Sequence, residues 1–385
     1  VLVLRLLRDG VPCRGHQPAP SFDESDPVGG EGELGKKQGG MMMANFELLK
    51  ELTQAWGVAG REKQVRAIIL RELEGLADQA YVDSIGNVIA LRRGQGGPES
   101  KKIMLSAHMD EIGLQVKKIE SDGRIRVRNV GWVWTSALYN DHVVFQNGVT
   151  GVVGCCGKIE EAKNDSGKLY IDIGCTTRED AEKYVKPGDY CGFVGPYYEL
   201  QNDRISAKTF DDRVGCFLLL EAIRRNKGEG PNDIYYVFSV QEEVGCRGAT
   251  AAAAQVKPDI GISVDVTPDH FYPCDLEGCN AVGDGVSVTL GDPSAMLDEY
   301  LVDEMLACCE ENGIPCQRGV MDRGGTDAGS MNLSNEGVRV AGIAIVDRYP
   351  HSKCSVISKK DVLAGIDLID RYTHRVFRFE ETGRL

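Results

Sequence analysis

Ile234-Tyr235-Tyr236-Val237-Phe238-Ser239-Val240-Gln241-Glu242-Glu243 is the stretch on which the reading of this chain turns. Its first seven residues are almost all apolar and rich in β-branched and aromatic side chains. The run is too short for a core helix, so it predicts a strand buried on both faces. It is the most apolar strand candidate in the sequence, and it ends in two adjacent acids. Two buried, unpaired carboxylates would cost several kcal/mol in lost hydration, so they need cations or solvent. A division of labour meets that need: one acid binds a metal and the other accepts a proton from a metal-activated water. A doubly covered strand with acids at its carboxyl end is how an open α/β sheet presents a ligand site.

The alternation of helices and buried strands continues around it. Asp212–Arg225 predicts a helix, Gly248–Gln255 a short Ala-rich one, and Ile260–Val264 a strand ending at Asp265. Val286–Leu290 and Val338–Val346 are further strands; Ala295–Asn312 and Lys360–Phe379 are helices. Upstream, Phe46–Trp56 and Glu62–Leu76 carry helical periodicity. Tyr81–Asp83 and Asn87–Leu91 form a hairpin, and Lys102–Ala107 is a strand that delivers His108. Between about 115 and 204 the texture changes to short alternating strands with one small helix, Arg178–Tyr184. This stretch predicts an all-β, barrel-like module inserted into an α/β domain. The expected architecture is therefore a three-layer αβα domain with a mixed central sheet, formed by residues 43–114 and 205–385, with the insert at 115–204.

Composition narrows the function classes. The 385 residues carry 44 basic and 58 acidic side chains, a net charge of −14, which disfavours nucleic acid as a partner. No run of 18 apolar residues predicts a membrane span. The 13 cysteines have no repeated Cys-x-x-Cys spacing, and most are flanked by apolar or small residues, as free thiols in a reducing cytoplasm would be. Cys274 and Cys279 lack the second pair that a four-ligand metal knuckle requires. Residues 1–42 are rich in Gly, Pro and charge without periodicity, and are expected to be a disordered leader or extension outside the fold.

Five short segments carry the chemistry: Ala107-His108-Met109-Asp110, Phe210-Asp211-Asp212-Arg213, Gln241-Glu242-Glu243, Val264-Asp265-Val266 and Tyr349-Pro350-His351-Ser352. His108 and Asp110, two apart at a strand end, project to one face, so the carboxylate can orient the imidazole or reach the metal site. Asp211-Asp212 precedes an apolar helix, where one carboxylate can bridge two ions. Each segment alone has a plainer reading: a polar strand cap, a helix N-terminus, an ordinary turn, a loop histidine. Their coincidence at strand ends does not, because together they supply two histidines and several carboxylates, the ligand set of a pair of hydrolytic divalent metals.

With these segments, Ile171-Asp172-Ile173-Gly174, Lys186-Pro187-Gly188-Asp189, Gly324-Gly325-Thr326-Asp327-Ala328 and Arg348-Tyr349-Pro350-His351-Ser352, the chain resembles the glutamyl aminopeptidase and tetrahedral (TET) aminopeptidase family of dinuclear metallopeptidases, from about Met43 to its end. The resemblance implies that His108 and Asp265 hold one metal, Glu243 and His351 the other, and that Asp211 bridges them. It further implies Glu242 as general base and acid, Asp110 as the residue orienting His108, and a cis peptide at Asp211–Asp212. It implies aminopeptidase action on short peptides, two ions per subunit (zinc or cobalt, with manganese also suited to these ligands), and an insert that builds dimers, assembling into dodecamers. Side-chain preference stays open.

Other residues attract weaker readings. His270 could line the substrate pocket or serve its loop. Gly324-Gly325 is expected near the site, giving the backbone close approach to a substrate. Arg323 and Arg348 could face an acidic substrate or pair within the protein. A carboxypeptidase or N-acyl deacylase on similar metals, and a catalytically silent scaffold, are the competing functions. No Gly-x-Ser-x-Gly supports a serine hydrolase. A glycosidase reading of the paired carboxylates would leave the two histidines unexplained.

Overall fold

The computed structural model describes residues 44–162, 166–273 and 276–379; the expected leader and Cys274 lie outside them. Helices α1 (Phe46–Gln54) and α2 (Lys63–Glu72) lead into a hairpin of β1 (Gln79–Val82) and β2 (Val88–Arg92). Asp83 shapes its turn, its Oδ1 accepting the amides of Ile85, Gly86 and Asn87 at 2.9–3.1 Å. Strand β3 (Lys102–His108) follows.

Next come β4 (Gly113–Ile119), β5 (Ile125–Val130), β6 (His142–Phe145), β7 (Thr150–Cys155), α3 (Ile159–Ala162), β8 (Leu169–Asp172), α4 (Arg178–Ala181) and β9 (Tyr190–Phe193). The six strands close into an antiparallel barrel in the order β4-β5-β8-β7-β6-β9. Leu114, Val127, Val143, Phe145, Val153 and Ile171 fill a core of its own. Closure leaves these short strands without a free edge.

After the barrel come β10 (Tyr198–Glu199), β11 (Arg204–Ala207), α5 (Phe210–Arg225), β12 (Asp233–Ser239), α6 (Arg247–Val256), β13 (Ile260–Pro268) and β14 (Val286–Gly291). The chain finishes with α7 (Glu299–Asn312), β15 (Cys316–Val320), α8 (Asp327–Asn332), β16 (Arg339–Asp347), β17 (Ser355–Ser358) and α9 (Lys359–Thr373). Eight strands form one mixed sheet, β1-β2-β12-β3-β13-β16-β14-β15, and β10-β11-β17 form a small one. The centre of the large sheet, β12, β3, β13 and β16, is parallel. Helices α1, α5, α7 and α9 cover one face, with Leu52, Phe217, Leu218, Met305 and Ile366 in that core. Helices α6 and α8 cover the other through Ala249, Ala252, Ala253 and Met331. Both faces of β12 are thereby buried, as its apolar sequence requires.

Among the differences from the sequence-based expectation, three concern the elements around the central sheet. Helix α7 starts at Glu299, not Ala295, because Asp292 folds 292–295 into a turn and Asp298 caps the helix through the Leu301 amide. Helix α9 stops at Thr373. Strand β13 continues through Asp265 to Pro268: it leaves β3 after Ser263, paired with Ser106, but stays with β16 to Asp347. Asp265 thus sits where β3 and β13 part. Among the described residues no helix is long and apolar enough to cross a membrane.

Candidate metal centre

The parting of β3 and β13 opens a crevice at the carboxyl end of the parallel strands, and the five motif segments converge there. His108 closes β3, buried, with its backbone amide on Asp212 Oδ2 at 3.0 Å. The imidazole Nδ1 donates to the Asp110 carbonyl at 3.2 Å, which turns Nε2 toward Asp211 Oδ1 at 2.9 Å. His351 enters from the β16–β17 loop in the same manner. Its Nδ1 donates to the Trp132 carbonyl at 2.7 Å, and its Nε2 meets the other oxygen, Asp211 Oδ2, at 3.1 Å. Asp211 therefore offers one carboxylate oxygen to each of two imidazoles.

Asp211 and Asp212 stand at the start of α5, joined by a cis peptide. Their side chains do different work. Asp212 is a backbone clamp, Oδ2 taking the His108 amide and Oδ1 the Gly215 amide at 2.8 Å. It lies close enough to His108 and Asp265 to join a ligand group, but both its oxygens already have amide partners. Asp211, with only imidazoles facing it, is the better bridge.

Beyond β12, Gln241 adopts a left-handed backbone (φ 58°) and turns the two acids into the crevice. Asp110 fixes them there, Oδ1 accepting the Glu242 amide at 2.9 Å and Oδ2 the Glu243 amide at 3.2 Å. Its Oδ1 is 3.5 Å from His108 Nδ1, so one carboxylate braces both the histidine and the acid pair. Glu242 Oε2 approaches His108 Nε2 at 3.8 Å, and Glu243 Oε2 lies 4.0 Å from His351 Nδ1. Gly131 (φ 78°) lets the barrel's β5–β6 loop press against Glu243; a Cβ there would sit 3.2 Å from Glu243 Oε2.

The electrostatics are those of an acid cluster wanting cations. Burial pushes Glu243 up to about 8 and Asp265 to about 7, and lifts Glu242 well above the usual carboxylate range. Burial acts on Asp211 too, but hydrogen bonds from His108 and His351 overcome it and hold its carboxyl well below that range. Burial disfavours charge on both histidines, yet their acidic neighbours raise them well above normal. Each Nε2 lone pair faces a carboxylate oxygen, so something positive must lie between them: a proton, or a metal ion. For metal–ligand bonds of 2.0–2.2 Å, tetrahedral ligand atoms stand about 3.3 Å apart, and the 2.9 and 3.1 Å separations of the Asp211 oxygens from the two Nε2 atoms come close to that value. Ligand atoms of His108, Asp211 and Glu243, and of His108, Asp212 and Asp265, lie within 4.8 Å of one another. The donor set fits a divalent pair.

The structure thus brings together all seven residues expected from the sequence: His108, Asp110, Asp211, Glu242, Glu243, Asp265 and His351. It redirects others. His270 is buried and serves its loop, its Nδ1 accepting the Asn280 amide at 3.0 Å. Arg348 is held by Asp269 at 2.9 Å and stacks over Tyr272. Gly325 makes room for Ser294, whose Cβ lies 2.8 Å from where a side chain would begin. Two groups were missed. Asp327, capping region of α8, accepts the hydroxyls of Ser106 at 2.6 Å and Ser239 at 2.7 Å beside Glu242. Buried Glu111 pairs with Lys208 at 2.6 Å and approaches Arg213 at 3.5 Å, and Lys208 lines the cleft over Asp211. The Gly-Gly-Thr-Asp stretch was a signal for Asp327; nothing local announced the Glu111 pairing.

The M42 glutamyl aminopeptidase family matches residues 86–368. The chain belongs to that family. It is 39% identical over 322 residues to a putative aminopeptidase of Acetivibrio thermocellus, covering 82% of this chain and 94% of that protein. The TET aminopeptidase of a Thaumarchaeota archaeon superposes with a TM-score of 0.81 at 33% identity, over 86% of this chain and 97% of the other. The Pyrococcus horikoshii TET1 peptidase, which can assemble into a tetrahedron or a large octahedral shell, does so at 0.75 and 32%, over 85% and 98%. This M42 chain is a peptide hydrolase of a metal-dependent aminopeptidase family, with its candidate metal-binding residues at the crevice.

Proposed function

We propose that this M42 protein is a dinuclear metallo-aminopeptidase that removes N-terminal residues from short peptides. The observation that carries the reading is Asp211, one carboxylate addressed by two imidazoles whose other nitrogens are committed to carbonyls. In this reading His108 and Asp265 hold one ion, Glu243 and His351 the other, and Asp211 both. Zinc or cobalt suits the ligands, and so does manganese. When bound, the ions would supply Lewis acidity to the scissile carbonyl and lower the pKa of a water.

Glu242 is the proton carrier. Cys246 donates its thiol proton to Oε1 at 3.0 Å, which leaves Oε2 facing the centre. Burial raises its proton affinity, as a base that must take a proton and then return it to the leaving amine requires. Asp110 positions both Glu242 and His108. Acidic side chains left over at the crevice suit a free α-ammonium group, which makes the action that of an exopeptidase.

The insert expected at 115–204, whose barrel strands run from Gly113 to Phe193, serves in this proposal as the dimerisation domain attached to the catalytic domain formed by 43–114 and 205–385. Dimers would build a dodecamer, as the tetrahedral assembly of the TET1 relative suggests. The free cysteines fit a cytoplasmic location. Aminoacyl-p-nitroanilides assayed with added Co²⁺ or Zn²⁺, beside N-acetylated controls, test the reading. Cleavage of free-amine substrates only, abolished by a chelator, is expected; cleavage of the blocked ones would make it a deacylase, and no cleavage a scaffold.

A further inference from the structure

One cluster at the crevice is left over after the two ions of the proposed centre are placed. Glu242 begins a tight turn in which its carbonyl accepts the amides of Gly245 and Cys246, both at 2.8 Å. Cys246 is left-handed there (φ 48°), so the chain folds back and lays Sγ 3.0 Å from Glu242 Oε1. On the other side of Sγ, at 3.6 Å, is the Thr326 carbonyl. Asp327 follows. Its Oδ2 is saturated by the Ser106 and Ser239 hydroxyls, while Oδ1, in a side chain only 2% exposed, has no hydrogen-bond partner.

A buried carboxylate oxygen without a donor is poorly satisfied and can accept a cation or a water. Glu242, Cys246 and Asp327 each present a ligand atom within 4.8 Å of the others. The set of one sulfur, two carboxylates and an adjacent carbonyl differs in kind from the nitrogen–oxygen set around Asp211. Thiolate selects soft ions; Mn²⁺ and Mg²⁺ gain little from it, Zn²⁺ and Cd²⁺ much.

We propose that Glu242, Cys246 and Asp327 form a third cation site, specific for thiophilic divalent ions and distinct from the pair on Asp211. Binding replaces the Cys246 thiol proton, which leaves to solvent, with the metal. It also ties up the carboxylate of Glu242. On the aminopeptidase reading, on which this consequence rests, the third ion removes the base and inhibits the enzyme, whereas ions that ignore sulfur do not. Zinc would then activate at low and inhibit at high concentration.

The test uses the full chain loaded with two equivalents of Co²⁺ and titrated with further Co²⁺, or with Cd²⁺, while near-ultraviolet absorption is recorded. The parent should gain a thiolate-to-metal charge-transfer band only beyond two equivalents, with three ions retained per subunit. Cys246→Ser and Cys246→Ala should lose the band and retain two. In parallel, inhibition by excess Zn²⁺, expressed relative to each variant's own activity, should weaken at least tenfold in Cys246→Ala, and Mn²⁺ should inhibit neither. A band that survives in both variants, or none in the parent, overturns the proposal. The band is read without substrate, so a protein that shows it but cleaves nothing would refute the aminopeptidase reading and leave the site standing.

Discussion

Asp110 touches no position where a substrate would react, yet its removal should cripple the centre. The side chain is fully buried and holds the Glu242 and Glu243 amides at 2.9 and 3.2 Å. Hydrogen bonds to a charged acceptor contribute about 1.5–3 kcal/mol each. Asp110→Ala therefore removes about 3–6 kcal/mol of bracing from the turn that presents both acids, part of it recovered by relaxation or entering water. Partners of metal ligands typically change affinity or activity 10–100-fold, and losing two amide contacts and the approach to His108 puts Asp110→Ala at the upper end. Asp110→Asn keeps one carbonyl acceptor but turns an amide NH₂ toward the second backbone N–H, so it should lose about tenfold. Metal affinity is measured by competition with a chromophoric chelator, and kcat at saturating metal alongside, with circular dichroism to confirm folding. A folded Asp110→Ala within threefold of the parent in both would refute the bracing argument.

Glu242→Gln should keep its metal and lose about 10²–10⁴ in kcat, the usual contribution of a general base; undiminished kcat would assign the proton transfer elsewhere. Metal held at 100 times its Kd should add about 2.7 kcal/mol to unfolding stability in urea relative to the chelated protein, and an unchanged midpoint would argue against a folded-state site. Glu111→Ala strands Lys208 and Arg213 without their buried counter-charge, which should cost about 3–5 kcal/mol; a loss below about 1 kcal/mol by urea titration would show that water reaches them. Burial raises buried Asp361 to about 6 from an ordinary 3.8, against the Gly283 and Gly285 amides that favour its charge. The folded chain keeps that proton longer than the unfolded one, so this contribution is full below pH 3.8 and is lost as pH rises to 6. The stability difference between parent and Asp361→Asn should shift by up to about 3 kcal/mol across that window, and a pH-independent difference would contradict it.

Much of this could be read from the sequence because the decisive residues sit at ends of strongly patterned elements. His108 ends a strand, Glu242 and Glu243 follow the most apolar one, and Asp211 opens a helix; burial of the flanking runs forces these side chains into one crevice. The reading failed where contacts are made by backbone atoms or by residues distant in sequence. No pattern shows that the Trp132 carbonyl sets the His351 ring, 219 positions away. Nor could spacing reveal that Glu111 meets Lys208 across 97 residues. Strand β15 and helix α8 were missed because Cys316–Val320 is half-polar and Asp327–Asn332 is less than two turns long. Asp265 was placed at a strand end because an acid inside a buried strand is costly; its cost is met by the opening of the sheet beside it.

That opening explains why so many acids tolerate one crevice. While β13 pairs with β3, its residues are Ile260, Gly261, Ile262 and Ser263; the acid appears at the second residue after the ladder is lost. On the other flank, β12 stays with β3 to its last residue, Ser239 opposite His108, and the acids follow two residues beyond Val240. Backbone that leaves a ladder must find other partners, and here carboxylates provide them: Asp212 takes the His108 amide, and Asp110 those of Glu242 and Glu243. Two of the acids in the crevice are thus structural acceptors, each engaged by two backbone amides. Asp211, Glu243, Asp265 and Glu242 face imidazoles or one another instead, and their charge is what a pair of divalent cations would neutralise. Substituting Asp110 or Asp212 should therefore disturb geometry before charge. Substituting Asp211 should disturb charge first: Asp211→Asn should lose metal, and without metal it should lose stability as well, because it removes the carboxylate that His108 and His351 hold ionised.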